Sequence, residues 1–306
     1  MPEQTPQTVA VLGLGHMGGP MAANLVAAGH AVRGFDPSAD ALTRAAAAGI
    51  VPAGTIAEAV RGADAVITML PSGELLLQAY DGPDGVVAAA ASAGAVLVDC
   101  STVAVDDARR AHDLAAAAGL GMIDAPVSGG VVGAAAGTLT FMVGGAQEDL
   151  ERARPLLEVM GGRVVHCGEV GAGQAAKLCN NMLLAISTIA TAEAFALGER
   201  LGLSAQALYD VASASSGQCW SLNVNCPVPG PVPASPANRD YEPGFAVALM
   251  RKDLRLAGEA VASTGAPCEL GLRAAQTYER LAAEGLADRD FSVVYRTLAD
   301  RVAAAS

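Results

Sequence analysis

Four stretches carry residues that could do chemistry. In GAGQAAKLCNNM (171–182), Lys177 is followed by Asn180 three residues on and Asn181 four residues on. On a helix, Asn181 shares the lysine's face. A lysine desolvated near the start of a long, largely apolar helix has its pKa lowered towards a range useful for exchanging a proton. An exposed lysine at a helix start does no such work, and the residues alone leave both readings open. RKD (251–253) raises the same question: Lys252 either snorkels to solvent or turns back to a cleft. In DAPVSGG (124–130), followed by GAAAGTL (133–139), a proline, a serine and paired glycines come straight after an apolar, strand-like run. Glycine costs backbone entropy on folding, so this stretch marks a place where something approaches the chain closely.

The fourth stretch, VAVLGLGHMGGPMAANL (9–25), holds Gly13, Gly15 and Gly18 in a GxGxxG spacing. The spacing alone is a weak signal. Here it follows an apolar strand and opens a helix, and in that context it marks dinucleotide binding. Gly13 allows the tight turn, Gly15 lets the backbone approach a pyrophosphate, and Gly18 lets helix and strand pack closely. The helix N-terminus adds free N–H groups for the phosphates. The loop Gly13-Leu14-Gly15-His16-Met17-Gly18 would wrap the cofactor, with His16 facing solvent rather than acting in catalysis. Asp36 ends the next strand, eighteen residues after Gly18. A carboxylate there accepts ribose hydroxyls and repels a 2′-phosphate, which favours NAD over NADP.

The elements around these stretches follow a simple alternation. TVAVL (8–12), AVRGF (31–35), DAVITML (64–70), AVLVDC (95–100) and GMIDAP (121–126) read as strands. Helices fall between them, one over 17–28 and one over 38–48 begun by a Ser cap. Apolar strands alternating with helices mean parallel pairing buried on both faces. The expected fold is α/β: a Rossmann-type doubly wound parallel sheet over 1–168, then an all-helical domain over 169–306 that begins with a long interdomain helix. Helices are expected over 172–201, 204–213, 245–263, 268–285 and 290–304. NCPVPGPVPASPANRD (225–240) interrupts them, either as a surface connector or as the wall of a site. Ligands in open α/β sheets bind beyond the carboxyl ends of strands. MLPS (69–72) and DCSTV (99–103) are therefore either walls of a cofactor crevice or ordinary polar turns.

Composition narrows the classes. The 306 residues carry a formal net charge of -12 and no basic stripe, which argues against nucleic acid and anionic membrane surfaces as partners. Six scattered cysteines and four histidines show no metal-type spacing, which argues for reduced thiols and against zinc. The N-terminus does not read as a signal peptide. The uncharged apolar run 182–192 is shorter than the roughly 20 residues of a bilayer span and reads as a buried helix. These features fit a cytoplasmic enzyme.

Together, GLGHMGGPMAANL, DAPVSGG with GAAAGTL, GAGQAAKLCNNM and MRKDLRLA resemble the β-hydroxyacid dehydrogenase family over about residues 9–298. SSGQCWSLNVNCPVPG (215–230) with NRDYEPGF (238–245) looks like the substrate-domain segment of one branch of that family, which favours the wall reading. The resemblance implies NAD-dependent oxidation of a small 3-hydroxy acid, with Lys177 as the acid/base. It implies that Ser128, Gly129 and Gly130 hold the substrate carboxylate and that Asn181 orients the substrate. Leu70, Pro71, Thr102 and Lys252 would contact the cofactor, with Asp253 supporting Lys252 or a domain contact. It also implies a homodimer or homotetramer. A relative of different substrate range (3-hydroxypropionate, serine or tartronate semialdehyde) and a non-catalytic dinucleotide sensor remain as other readings.

Overall fold

The computed structural model describes residues 5–91 and 93–298. The chain divides into two compact units, Met1–Lys177 and Leu178–Ser306, with the break inside a helix.

In the first unit the strands are β1 (Thr8–Leu12), β2 (Ala31–Phe35), β3 (Val51–Pro52), β4 (Ala65–Thr68), β5 (Val96–Asp99), β6 (Met122–Asp124), β7 (Val127–Ser128), β8 (Leu139–Gly144) and β9 (Gly161–Gly168). They form one sheet in the order β3-β2-β1-β4-β5-β6-β8-β7, with β9 also paired to β8. Pairing is parallel from β3 through β6. The strands from β1 to β6 are short and apolar, and alternate residues enter two separate cores. Val9, Val11, Ile67, Val98 and Ile123 pack on one face. Ala10, Leu12, Val66, Leu97 and Met122 pack on the other. Burial on both faces is what the near-continuous hydrophobic runs require. β8 runs antiparallel to β6 and β7, and parallel to β9. This reversal falls between β7 and β8, across the short helix Gly130–Ala136, and lies beyond what strand–helix alternation shows.

Three helices of the first unit begin where a short polar side chain caps them. Ser38 accepts from the Ala41 N–H, Thr55 from Glu58 and Ser72 from Leu75. Each satisfies one of the four N–H groups a helix start leaves open.

The second unit is helical, and among its described residues there is no strand. Its helices are Ala172–Arg200, entered from the first unit, then Ala205–Ser213, Trp220–Asn223, Val247–Thr264 and Glu269–Leu281. The expected helix over 268–285 stops at Leu281 and gives way to a π turn, where Gly285 takes φ +83. Of the expected helix over 290–304, residues 291–293 form a 3-10 turn and 294–298 are helical, while 299–304 lie outside the described residues. Helix Ala172–Arg200, at 29 residues, is long and apolar enough to cross a membrane by length and composition alone. It carries Lys177, Asn180, Asn181 and Glu193, and it buries Ala185 and Ala192 in a core with Val247, Met250, Tyr278 and Phe291.

The proline-rich stretch is ordered by its own polar contacts. Cys226 and Val228 are buried at one foot, and Pro236 and Ala237 at the other. Ser235 Oγ donates to the Cys226 carbonyl, Asn238 Nδ2 to the Val232 carbonyl and Tyr241 OH to the Pro227 carbonyl. Asp240 and Tyr241 sit at φ +47 and +56. Such strain in non-glycine residues persists only where surroundings fix it. Here Arg289 and Arg296 both pair with the Asp240 carboxylate, and Arg296 also stacks over the Tyr241 ring.

Candidate functional site

The glycine loop leaves the end of β1. Gly13 has φ +91, and a β-carbon there would meet the Met69 carbonyl oxygen at 2.3 Å. A β-carbon on Gly18 would meet the Gly13 carbonyl oxygen at 1.9 Å. Both glycines are demanded by the protein's own packing. Gly15 is different, since a β-carbon there meets nothing within 4 Å. The chain thus keeps a bare, exposed backbone at the one fingerprint position where its own fold asks for none. That is the cradle a pyrophosphate needs. Leu14 is buried, His16 is exposed, and Met17 stands just before the helix Gly18–Ala27.

Asp36, just past β2, is tied to this loop. Its Oδ2 accepts from the Leu14 N–H at 2.8 Å, and its Oδ1 accepts from the Ser38 N–H at 2.8 Å. A carboxylate oxygen has room for a second donor, so both oxygens can still receive ribose hydroxyls.

Leu70, Pro71 and Thr102 follow β4 and β5, and a buried polar network fixes their loops. Asp99 Oδ1 accepts from Thr68 Oγ1 at 2.8 Å, from Ser101 Oγ at 2.6 Å and from the Ser101 N–H at 3.2 Å. Ser101 Oγ accepts in turn from the Leu70 N–H at 2.8 Å. Asp99 is fully buried, and its Oδ2 has no hydrogen-bond donor among the described residues. Burial pushes its carboxyl up to about 6, against the hydrogen bonds from Ser101 and Thr68.

Asp124 pairs in register with Asp99 on the neighbouring strand. Its Oδ1 accepts from the Gly171 N–H at 2.7 Å and its Oδ2 from the Gln174 N–H at 2.8 Å. Burial also raises this carboxyl, and the backbone donors oppose the rise. The helix that begins at Ala172 is therefore seated on Asp124. The seat is close, because a β-carbon on Gly173 would meet the Met142 carbonyl oxygen at 2.3 Å and the Asp124 carbonyl oxygen at 2.7 Å. Lys177, in the second turn, is 6% exposed. The reading of Lys177 as an exposed helix-start lysine does not hold.

Ser128 is half-buried at the end of β7, and Gly129 and Gly130 take φ +135 and +62. In this left-handed region glycine is favoured, and the chain can turn its N–H groups outward. In the second unit, Asn181 is buried and its Nδ2 donates to Asp253 Oδ2 at 2.6 Å, while its Oδ1 accepts from Asn180 Nδ2 at 3.0 Å. One Asn181 N–H remains for a ligand. Lys252 is half-buried on helix Val247–Thr264, next to the buried Asp253.

Asp99, Asp124 and Gln174 were not singled out by sequence reasoning. Each stands inside a motif that was noticed (DCST, DAPVSGG and GAGQ), but their partners lie up to 73 residues away.

A glycine cradle with an acidic partner, on the carboxyl edge of a doubly wound sheet and followed by a buried lysine, defines an NAD-dependent oxidoreductase. Comparison with known proteins agrees. The model described as "NAD binding domain of 6-phosphogluconate dehydrogenase" matches residues 8–168, and "NAD-binding of NADP-dependent 3-hydroxyisobutyrate dehydrogenase" matches 171–298. A probable 3-hydroxyisobutyrate dehydrogenase of Mycobacterium bovis is 57% identical, covering 96% of this chain and 98% of the relative. An NAD-dependent L-serine dehydrogenase of Pseudomonas aeruginosa is 49% identical over 94% and 96%. The solved 3-hydroxyisobutyrate dehydrogenase of Mycobacterium tuberculosis with L-serine superposes with a TM-score of 0.91 at 56% identity, over 96% and 99%. The chain belongs to the 3-hydroxyisobutyrate dehydrogenase family, within the β-hydroxyacid dehydrogenases.

Proposed function

We propose that the protein oxidises 3-hydroxyisobutyrate to methylmalonate semialdehyde, as in valine breakdown. The observation that carries this is a lysine 6% exposed in a helix whose first turn is held by a buried carboxylate. Neutral Lys177 accepts the hydroxyl proton as the carbinol carbon gives up its hydride. Bound NAD supplies the hydride acceptor. In the reverse direction the Lys177 ammonium returns the proton to the forming alkoxide.

Ser128 Oγ and the backbone N–H groups of Gly129 and Gly130 hold the substrate carboxylate, which gives an anion local donors inside a chain of net charge -12. Asn181, already fixed by Asp253, turns its remaining N–H to the substrate. Fixing both ends of a small acid is worth several kcal/mol of the barrier. Gly13, Leu14, Gly15, His16, Met17, Gly18, Asp36, Leu70, Pro71, Thr102 and Lys252 hold the dinucleotide. A cytoplasmic location suits an NAD-dependent enzyme with unpaired thiols. Leu197 and Val211 stand exposed on helices of the second unit, with Leu201 exposed just past the end of helix Ala172–Arg200, and support a homodimer or homotetramer.

A second substrate, L-serine, is favoured by the names of two relatives. It is also a 3-hydroxy acid and differs at C2, with an ammonium in place of the methyl. Appearance of reduced cofactor at 340 nm tests both, using NAD or NADP against 3-hydroxyisobutyrate, L-serine, 3-hydroxypropionate and glycerate. Preference for NAD and 3-hydroxyisobutyrate is expected. Preference for serine keeps the Lys177 chemistry and overturns the substrate. Lys177→Ala should lower turnover at least 1,000-fold, on the order of combined loss of acid–base catalysis and positioning, with NAD affinity nearly intact.

A further inference from the structure

Gln174 stands three residues before Lys177 and is wholly buried. Its side chain uses both ends. Nε2 donates to the Ser101 carbonyl at 2.8 Å, and Oε1 accepts from the Val103 N–H at 3.1 Å. One carboxamide therefore brackets Thr102 on both sides. Its backbone N–H donates to Asp124 at the seat of the helix. Ser101 in turn receives the Leu70 N–H. The carboxamide thus ties the loop after β5 to the helix bearing Lys177, and Ser101 Oγ extends the tie to the loop after β4. Glutamine alone fits the task, because it offers a donor and an acceptor from one rigid amide and is one methylene longer than asparagine.

We propose that Gln174 is a positioning residue for the reaction, setting where Lys177 stands relative to the Leu70 and Thr102 loops and so to the dinucleotide they hold. The inference rests on reading Lys177 as the acid/base. Its alternative is that Gln174 merely satisfies two buried backbone groups, which would cost stability when lost but leave the chemistry of folded enzyme alone.

The test compares full-length wild type, Gln174→Met and Lys177→Ala. Methionine keeps the length and volume without the amide. Four readouts are taken: amide hydrogen exchange at Val103 without cofactor, NADH affinity by fluorescence, kcat per folded enzyme, and the isotope effect on kcat with substrate deuterated at the carbinol carbon. In Gln174→Met we expect Val103 exchange to rise at least about tenfold and kcat to fall about 10- to 100-fold, in line with a misplacement of about 1 Å. NADH affinity should change less than about threefold, and the isotope effect should rise because hydride transfer has become slower. Wild-type kcat and isotope effect, with only a lower melting temperature, would overturn the proposal. If Lys177→Ala is inactive while Gln174→Met is normal, this inference alone fails. If Lys177→Ala turns over normally, the acid/base reading fails and this proposal falls with it. Should Gln174→Met not fold, Gln174→Glu removes only the donor to the Ser101 carbonyl and keeps the acceptor for Val103, so the kcat, NADH and isotope-effect comparisons carry over with Val103 exchange left near wild type.

Discussion

At the scale of single residues, the three fingerprint glycines separate into two kinds. Gly13→Ala puts a β-carbon 2.3 Å from a carbonyl oxygen at φ +91, and neither the backbone nor the turn can yield cheaply. Strain alone costs about 1–3 kcal/mol, and the overlap adds to it. Gly15→Ala meets nothing in the protein. Its melting temperature should stay within about 1 °C of wild type, while NAD affinity falls at least tenfold, the equivalent of about 1.4 kcal/mol. Thermal melts with and without NAD distinguish the two variants. If Gly15→Ala binds NAD normally, the cradle is not where the pyrophosphate lies. Asp36 belongs with Gly15, because its Leu14 and Ser38 contacts leave an acceptor on each oxygen. This local chemistry was legible in the sequence: the spacing, the preceding strand and the acid at the end of the next strand all lie within some thirty residues.

At the scale of elements, helix Ala172–Arg200 begins on a buried charge. Asp124→Ala would leave the Gly171 and Gln174 N–H groups buried without an acceptor, at about 1–3 kcal/mol each. Asp124→Asn keeps one acceptor and should cost clearly less. Urea unfolding of the two variants checks this ordering, and equal losses would mean that water satisfies these groups. The same elements mark where sequence reading stopped. The lysine helix was visible from its composition, and so was the strand before DAPVSGG. β8 and β9 were not singled out, since the helix between β7 and β8, Gly130–Ala136, is a short run of glycine, valine and alanine with no polar face to announce it. The antiparallel pairing of β8 depends on register between segments rather than on either segment's pattern. Asp124 and Gln174 escaped for the same reason, since each acts across 47 residues or more.

At the scale of the whole molecule, two carboxylates buried in adjacent strands make stability depend on pH. Asp99 titrates near 6 in the folded protein and near 3.8 when unfolded. Between these values the folded state keeps a proton that the unfolded state has released. Stability therefore falls as pH rises from about 4 to 6, and the penalty is complete above that window. A shift of this size is worth about 3 kcal/mol at most. Asp124 moves in the same direction. Asp99→Asn removes the first contribution, so the difference between its urea midpoints at pH 4.5 and pH 7 should be smaller than that of wild type. An unchanged difference would show that Asp99 is already ionised below pH 4.5. Sedimentation at micromolar protein tests the homo-oligomer: the expected mass is two or four times the 30.5 kDa chain, and a monomer would overturn it.

The proline-rich stretch stands on two buried feet, Cys226 and Val228 on one side and Pro236 and Ala237 on the other, with residues 229–234 mostly exposed between them. Its footing and its crest are separate parts of the sequence. Val232 packs on the Phe195 core and the Gly230 N–H and Val232 carbonyl bond to Asn238, so it is the exposed side chains of Pro229, Pro233 and Ala234 that can be exchanged without disturbing the helices below. This makes the stretch a place where side-chain variation can be screened against new hydroxy acids while the fold that carries it stays constant.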